Sequence, residues 1–237
     1  TRRDADGNVL DQITARRSGT GRLSASDSFP QSSWLRWTRT IIDRHGLAVE
    51  TRRYFDILES GEGLNGINYL TERTGYDAMG RPDRSVSPGG TVTRTTFDTR
   101  GLATAVRTGT DDTGTASNNM VIVEANEYDS RATRGNGLLT TRTLYAGKPA
   151  TTVTRVTTFG YDWRDRRVLV VPPAGARAAT TFDNLDRAVV VDRTTSSNAL
   201  LVRTATLFDA RGRPYRPPRY AEGAVSTTTP SIVPDPG

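Results

Sequence analysis

The residues able to do chemistry in this 237-residue chain are few in kind. There is no cysteine, which excludes disulfides, thiolate zinc sites and a thiol nucleophile. The single histidine, His45, lies within Asp43-Arg44-His45-Gly46-Leu47. No Gly-x-Ser-x-Gly elbow or metal-ligand cluster accompanies it, so it reads as a solvent-facing turn residue rather than a base. Gly61-Glu62-Gly63-Leu64-Asn65-Gly66 has the glycine spacing of a dinucleotide-binding loop. That loop needs a helix after it, with the phosphate at the helix N-terminus, whereas 67–74 reads as strand. The stretch therefore predicts a glycine-rich hairpin turn and no cofactor. Asp111-Asp112 invites a calcium reading, but two adjacent acids lack the alternating ladder of oxygens that calcium loops use. No metal or cofactor site is expected.

What remains is aspartate and arginine, and these recur in register. The stretch 75–108 reads GYDAMGRPDRSVSPGGTVTRTTFDTRGLATAVRT. In it an aromatic-Asp pair, Tyr76-Asp77, is followed by Gly80-Arg81. A second pair, Phe97-Asp98, is followed by Gly101-Leu102. The two aspartates are 21 residues apart (98 − 77). Tyr161-Asp162 and Phe182-Asp183 repeat that spacing (183 − 162 = 21) and are followed by Arg166 and Arg187. Phe208-Asp209 with Gly212-Arg213 is a further clean copy. A fixed period of this length means repeats. Phe55-Asp56, also 21 residues before Asp77, reads as a copy without its glycine. Tyr128-Asp129 follows Asp98 by 31 residues, the excess matching an inserted loop at 109–119.

These residues demand particular elements to hold them. Asp at the first position of a tight turn accepts backbone N–H bonds from inside it. Glycine at the fourth position supplies positive φ, as in a three-residue hairpin loop closed by a bulge. Where Asp165 and Asp186 replace that glycine, aspartate's tolerance of the left-handed region preserves the turn. Pro88-Gly89-Gly90 reads as the turn at the opposite end of the hairpin, and Pro173 holds the equivalent place. Between turns lie Thr- and Val-rich runs of about seven residues, suited to strands. The expectation is an all-β, antiparallel hairpin meander with one half-buried aromatic per unit at a constant height. The continuous apolar runs 168–171 and 188–191 read as strands buried on both faces.

Composition bounds the partners. The net charge is +6, and all 32 basic residues but Lys148 are arginine. They are scattered among Asp and Thr, which predicts solvated strand faces and Arg–Asp turn pairs rather than a nucleic-acid groove. Hydrophobic residues make up 35%, and no apolar run is long enough to insert in a membrane. Residues 1–53 read as degenerate repeats around a Ser/Gly-rich loop, with Asp4-Ala5-Asp6-Gly7 and Asp43–Leu47 as worn turns. Trp34 and Trp37 read as packing residues. Residues 54–216 form the repeat sheet, and 217–237 read as a Pro/Thr-rich tail or truncated repeat. A chain beginning at Thr1 reads as a piece of something longer.

The recurrent (Tyr/Phe)-Asp-x-x-Gly-Arg pattern resembles the YD repeats of the Rhs (rearrangement hot spot) family, related to insecticidal toxin-complex C components and teneurins. The resemblance is carried by Tyr76, Asp77, Gly80, Arg81, Phe97, Asp98, Gly101, Tyr161, Asp162, Arg166, Phe182, Asp183, Arg187, Phe208, Asp209, Gly212 and Arg213. It implies a β-sheet spiralling into a shell, in a large secreted or cell-surface protein without catalytic function in this segment. It implies as partners the neighbouring repeats of the same parent chain and an encapsulated toxin domain. The alternative is an adhesion module that binds cell-surface glycans or proteins. The self-cleavage motif of the family's C-terminal core is not found here.

Overall fold

A computed structural model describes residues 1–17, 22–24, 27–113, 119–129, 135–146, 153–215 and 219–220. Most of the expected Pro/Thr-rich tail at 217–237 and the turn around Lys148 lie outside these. The fold is all-β, and the one helical element among the described residues is a single 3-10 turn at Gln31–Ser33. By contacts the chain divides into two units, Thr1–Ala125 and Asn126–Gly237.

The first unit holds β1 (Arg2–Arg3), β2 (Val9–Ala15), β3 (Trp34–Ile42), β4 (Ala48–Tyr54), β5 (Tyr69–Tyr76), β6 (Pro82–Val86), β7 (Val92–Phe97) and β8 (Ala103–Gly109), and β9 (Val121–Tyr128) runs across the division. Each strand pairs antiparallel with the next in sequence. Among the described residues β1 pairs with β2 alone, so this sheet has a free edge and is no closed barrel. The second unit continues the pattern with β10 (Leu139–Ala146), β11 (Val153–Tyr161), β12 (Arg167–Val171), β13 (Arg177–Phe182), β14 (Ala188–Thr194) and β15 (Leu200–Ala205). β16 (Leu207–Phe208) and β17 (Pro214–Tyr215) form a separate two-stranded hairpin, and β18 (Arg219–Tyr220) lies against β15.

The register is set at the turns. Tyr76 pairs with Pro82, Phe97 with Ala103, Tyr161 with Arg167, Phe182 with Ala188 and Phe208 with Pro214. In every case the aromatic faces the residue six positions on. Except in the short β16–β17 hairpin, the register shifts at the aromatic. This is the bulge expected where a glycine or aspartate takes positive φ in a three-residue loop. Because a one-residue slip would exchange the two faces of a strand, a repeated bulge fixes the faces of the whole meander.

Burial is shallow. No described side chain falls below 2% exposure, and the buried apolar residues are Trp37, Tyr69, Val92 and Ala105. The deepest packing lies in the first unit. There Trp37 stacks on Tyr54 at 3.7 Å between ring centroids, Trp34 meets Trp37 edge-on at 5.0 Å, and Tyr54 leans on Tyr69 at 4.9 Å. Trp34 and Trp37 are thus packing residues, in cross-strand contacts of the kind that stabilise sheets. The runs in β12 and β14 are half-buried on both faces rather than buried. Strand neighbours cover their sides, and no second layer covers their faces among the described residues.

Candidate functional site: a row of aspartate turns

Each turn is built by its own sequence. Asp77 donates its N–H to the Arg81 carbonyl (2.9 Å) and accepts the Gly80 N–H at its own carbonyl (2.9 Å). Its carboxylate Oδ1 accepts the N–H groups of Met79 (2.9 Å) and Arg81 (3.0 Å), and Oδ2 takes the Arg81 Nε–H at 2.7 Å. One carboxylate therefore satisfies three donors. Asp162, Asp183 and Asp209 reproduce the set with Arg166, Arg187 and Arg213, the Nε–Oδ2 distances being 2.7, 2.6 and 2.7 Å. At Asp98 the fifth position is Leu102, and Arg100 supplies the guanidinium instead (3.0 Å). The worn copies adopt the same geometry. Asp4 accepts from Asp6 and Asn8, and Asp43 from His45 and Leu47.

The fourth position takes positive φ in each: 77° at Gly80, 86° at Gly101, 76° at Gly212, 63° at Asp165 and 61° at Asp186. These donors hold the carboxyls of Asp77, Asp98, Asp162, Asp183 and Asp209 below the usual aspartate value. The backbone N–H five residues into the turn is the leading cause at Asp77, Asp98, Asp183 and Asp209, and the arginine side chain at Asp162.

The turns are also tied to each other, which sequence reasoning missed. Arg81 lies over the Phe97 ring of the next turn at 4.6 Å, Arg166 over Phe182 at 4.9 Å and Arg187 over Phe208 at 4.4 Å. Arg166 Nη1 donates to the Asp183 carbonyl at 2.9 Å, and Arg81 Nη1 reaches the Asp98 carbonyl at 3.4 Å. Tyrosines tie the turns in the opposite direction. The Tyr76 hydroxyl donates to the Ala48 carbonyl (2.9 Å) and the Tyr161 hydroxyl to the Leu139 carbonyl (3.0 Å), each just past the preceding turn. The five repeat aromatics are all more than half buried. The signal available in sequence was the fixed position of arginine after each turn, whose reach to the next ring depends on strand order.

Two expectations need correction or completion. Phe55-Asp56 shares the 21-residue spacing but is no copy of the turn. It lies between β4 and β5, at the margin opposite Asp43 and Asp77, and Phe55 is 60% exposed. Asp56 instead accepts the Asn68 side-chain amide (2.7 Å), and Asn68 pins the glycine-rich loop by accepting the Leu64 N–H (2.9 Å). A Cβ on Gly63 would stand 2.4 Å from Asn68. That glycine serves loop packing, and the loop leads into strand β5. Asp112, in the inserted loop, is held by two nitrogens of one arginine and one of another: Arg84 Nε and Nη2 at 2.8 and 2.9 Å, and Arg94 Nε at 2.7 Å. These guanidinium groups hold its carboxyl far below the usual range. Asp112 and Arg94, with Asp77, Asp83, Arg81, Arg107 and Phe97, line a shallow groove of balanced charge.

At the opposite margin two turns use a hydroxyl. Ser87 and Thr195 accept the N–H groups of Thr91 and Ala199 through Oγ and Oγ1, both at 3.1 Å, and Gly90 and Asn198 take positive φ. His45 is exposed in its turn, its Nδ1 3.5 Å from Asp43.

Neither the protein-family profiles nor the curated proteins match this chain by sequence. Solved structures do match by fold. The Photorhabdus luminescens Tc holotoxin pore aligns over 88% of this chain with a TM-score of 0.51 and 13% identity. A crystal structure of TcdB2-TccC3 aligns over 90% with a TM-score of 0.44 and 12% identity, and the form without its hypervariable C-terminal region over 79%, also at 0.44, with 13% identity. The chain spans 11–13% of the length of these structures. The fold is thus of the kind found in the Tc holotoxin pore structure: an antiparallel sheet of consecutive hairpins.

Proposed function

We propose that this chain is a non-catalytic stretch of wall in a large exported protein, forming part of a spiralling β-shell that encloses a toxin domain. The observation that carries the reading is the chemistry of the turn row. Each repeat aspartate is saturated by backbone and arginine donors and held below its ordinary value. A carboxylate so held is a weak proton acceptor and a strong structural tie. The likeness in fold to the Tc holotoxin pore supports the same reading. The neighbouring hairpins of the parent chain are the immediate partners, and the enclosed domain is the further one.

The test uses the full-length protein that carries this segment. Electron microscopy is expected to find a hollow particle with this segment in its wall and density inside. A solid or extended particle overturns the proposal. Specific retention on a glycan array, lost on substitution of the exposed Trp163, would assign the surface to adhesion instead.

A further inference from the structure

The six junctions between successive aspartate turns that carry a ring follow a pairing rule. Where the fifth residue of a turn is arginine, the next ring is phenylalanine: Arg81 with Phe97, Arg166 with Phe182, Arg187 with Phe208. Where the fifth residue, or the one closing the longer turn at Asp129, is leucine, the next ring is tyrosine: Leu47 with Tyr76, Leu102 with Tyr128, Leu138 with Tyr161. We propose that these two positions are a matched pair that decides which hairpin can stand beside which, whatever the sheet encloses.

The physical basis is a cross-turn donor, seen at four of the six junctions, two in each unit. An arginine supplies it from the earlier turn: its Nε is fixed on its own aspartate, its plane covers the next ring, and Nη1 faces the next turn's carbonyl. A tyrosine supplies it from the later turn, through a hydroxyl to the carbonyl beside the leucine. Leucine with phenylalanine leaves the junction without a cross-turn donor of either kind. Arginine with tyrosine brings a second polar group into a half-buried contact already satisfied, at a desolvation cost.

Arg213 isolates the first half of the device. Its Nε holds Asp209 at 2.7 Å as in the other turns, yet its side chain is 70% exposed, against 28% for Arg81, 19% for Arg166 and 29% for Arg187. The guanidinium is therefore oriented by its own turn with no ring over it among the described residues, and the ring is what it selects.

The experiment is a pair of exchange cycles read by the urea midpoint of the intact chain. Phe182→Tyr is expected to lower the midpoint in the natural background and to raise it in the Arg166→Leu background. Tyr161→Phe is expected to lower it alone and to raise it when combined with Leu138→Arg, so either junction can decide the matter if one variant fails to fold. Arg213→Leu, with no ring over the guanidinium among the described residues, is expected to change the midpoint less than Arg166→Leu. If each ring exchange has the same sign in both backgrounds, the positions are independent and the proposal is overturned.

Discussion

At the scale of the residue, the turn aspartate does the work of a helix cap within a hairpin. It collects two backbone N–H groups on one oxygen and a guanidinium on the other. Asp183→Ala is expected to lower the melting temperature more than Asp183→Asn, since the amide oxygen keeps the backbone donors and loses only the charged pair; differential scanning calorimetry measures both. The carboxyls are depressed in the folded chain, so their contribution is complete above the unfolded aspartate value of about 3.9. It is lost as pH falls through the lower folded values. The melting temperature is expected to be flat with respect to these groups from pH 7 to about 5 and to fall steeply below about pH 4. Gly101 is a second residue-scale probe. Alanine there must adopt a φ of 86° and place Cβ 3.3 Å from Arg81 Nη1, while at Gly80 the φ of 77° meets open space. Gly80→Ala is expected to cost about 1–2 kcal/mol, and Gly101→Ala more, the difference reporting the arginine's position.

At the scale of the element, most of the architecture was legible in the chain. The Asp-x-x-Gly or Asp-x-x-Asp spacing located the turns at Asp77, Asp98, Asp162, Asp183 and Asp209, and the worn copies at Asp4 and Asp43 fold alike. What misled was spacing without chemistry. Phe55-Asp56 keeps the 21-residue interval, but Ile57 and Leu58 follow, with no residue suited to positive φ at the fourth position, and the chain makes a long loop instead. The depth of burial was also hidden, because apolar runs in β12 and β14 record which residues can be covered and not whether a second layer arrives. The aromatic column of Trp37, Tyr54 and Tyr69 depended on cross-strand register, since Trp37 pairs with Tyr54 and Tyr54 with Tyr69. Trp37 also donates its Nε1–H to the buried Asp11 at 2.8 Å. Trp37→Ala is expected to cost about 3–5 kcal/mol, measured by urea denaturation, with a smaller loss for the half-buried Phe97.

At the scale of the molecule, every main sheet contact described is between strands adjacent in sequence or one removed by a short hairpin. Such quasi-linear stacks unfold by neighbours rather than all at once. Hydrogen exchange is expected to grade along the chain, slowest around β3, β4 and β5 where the rings stack. A uniform exchange rate through both units would contradict this.

The two margins of each unit's sheet are fastened by different chemistry. One carries carboxylate clasps at Asp43, Asp77 and Asp98, or at Asp162 and Asp183; the other carries hydroxyl clasps at Ser87 and Thr195 and, in the first unit, the Asp112 carboxylate between Arg84 and Arg94. Acid therefore acts on the sheet as on a zip with one metal and one nylon edge: protonation releases the first row, while the hydroxyl clasps stay closed and Asp112, held far below the usual range by Arg84 and Arg94, resists. Hairpins fray from a single side, in a direction the sequence has already chosen, and the strands stay joined longest at the margin opposite.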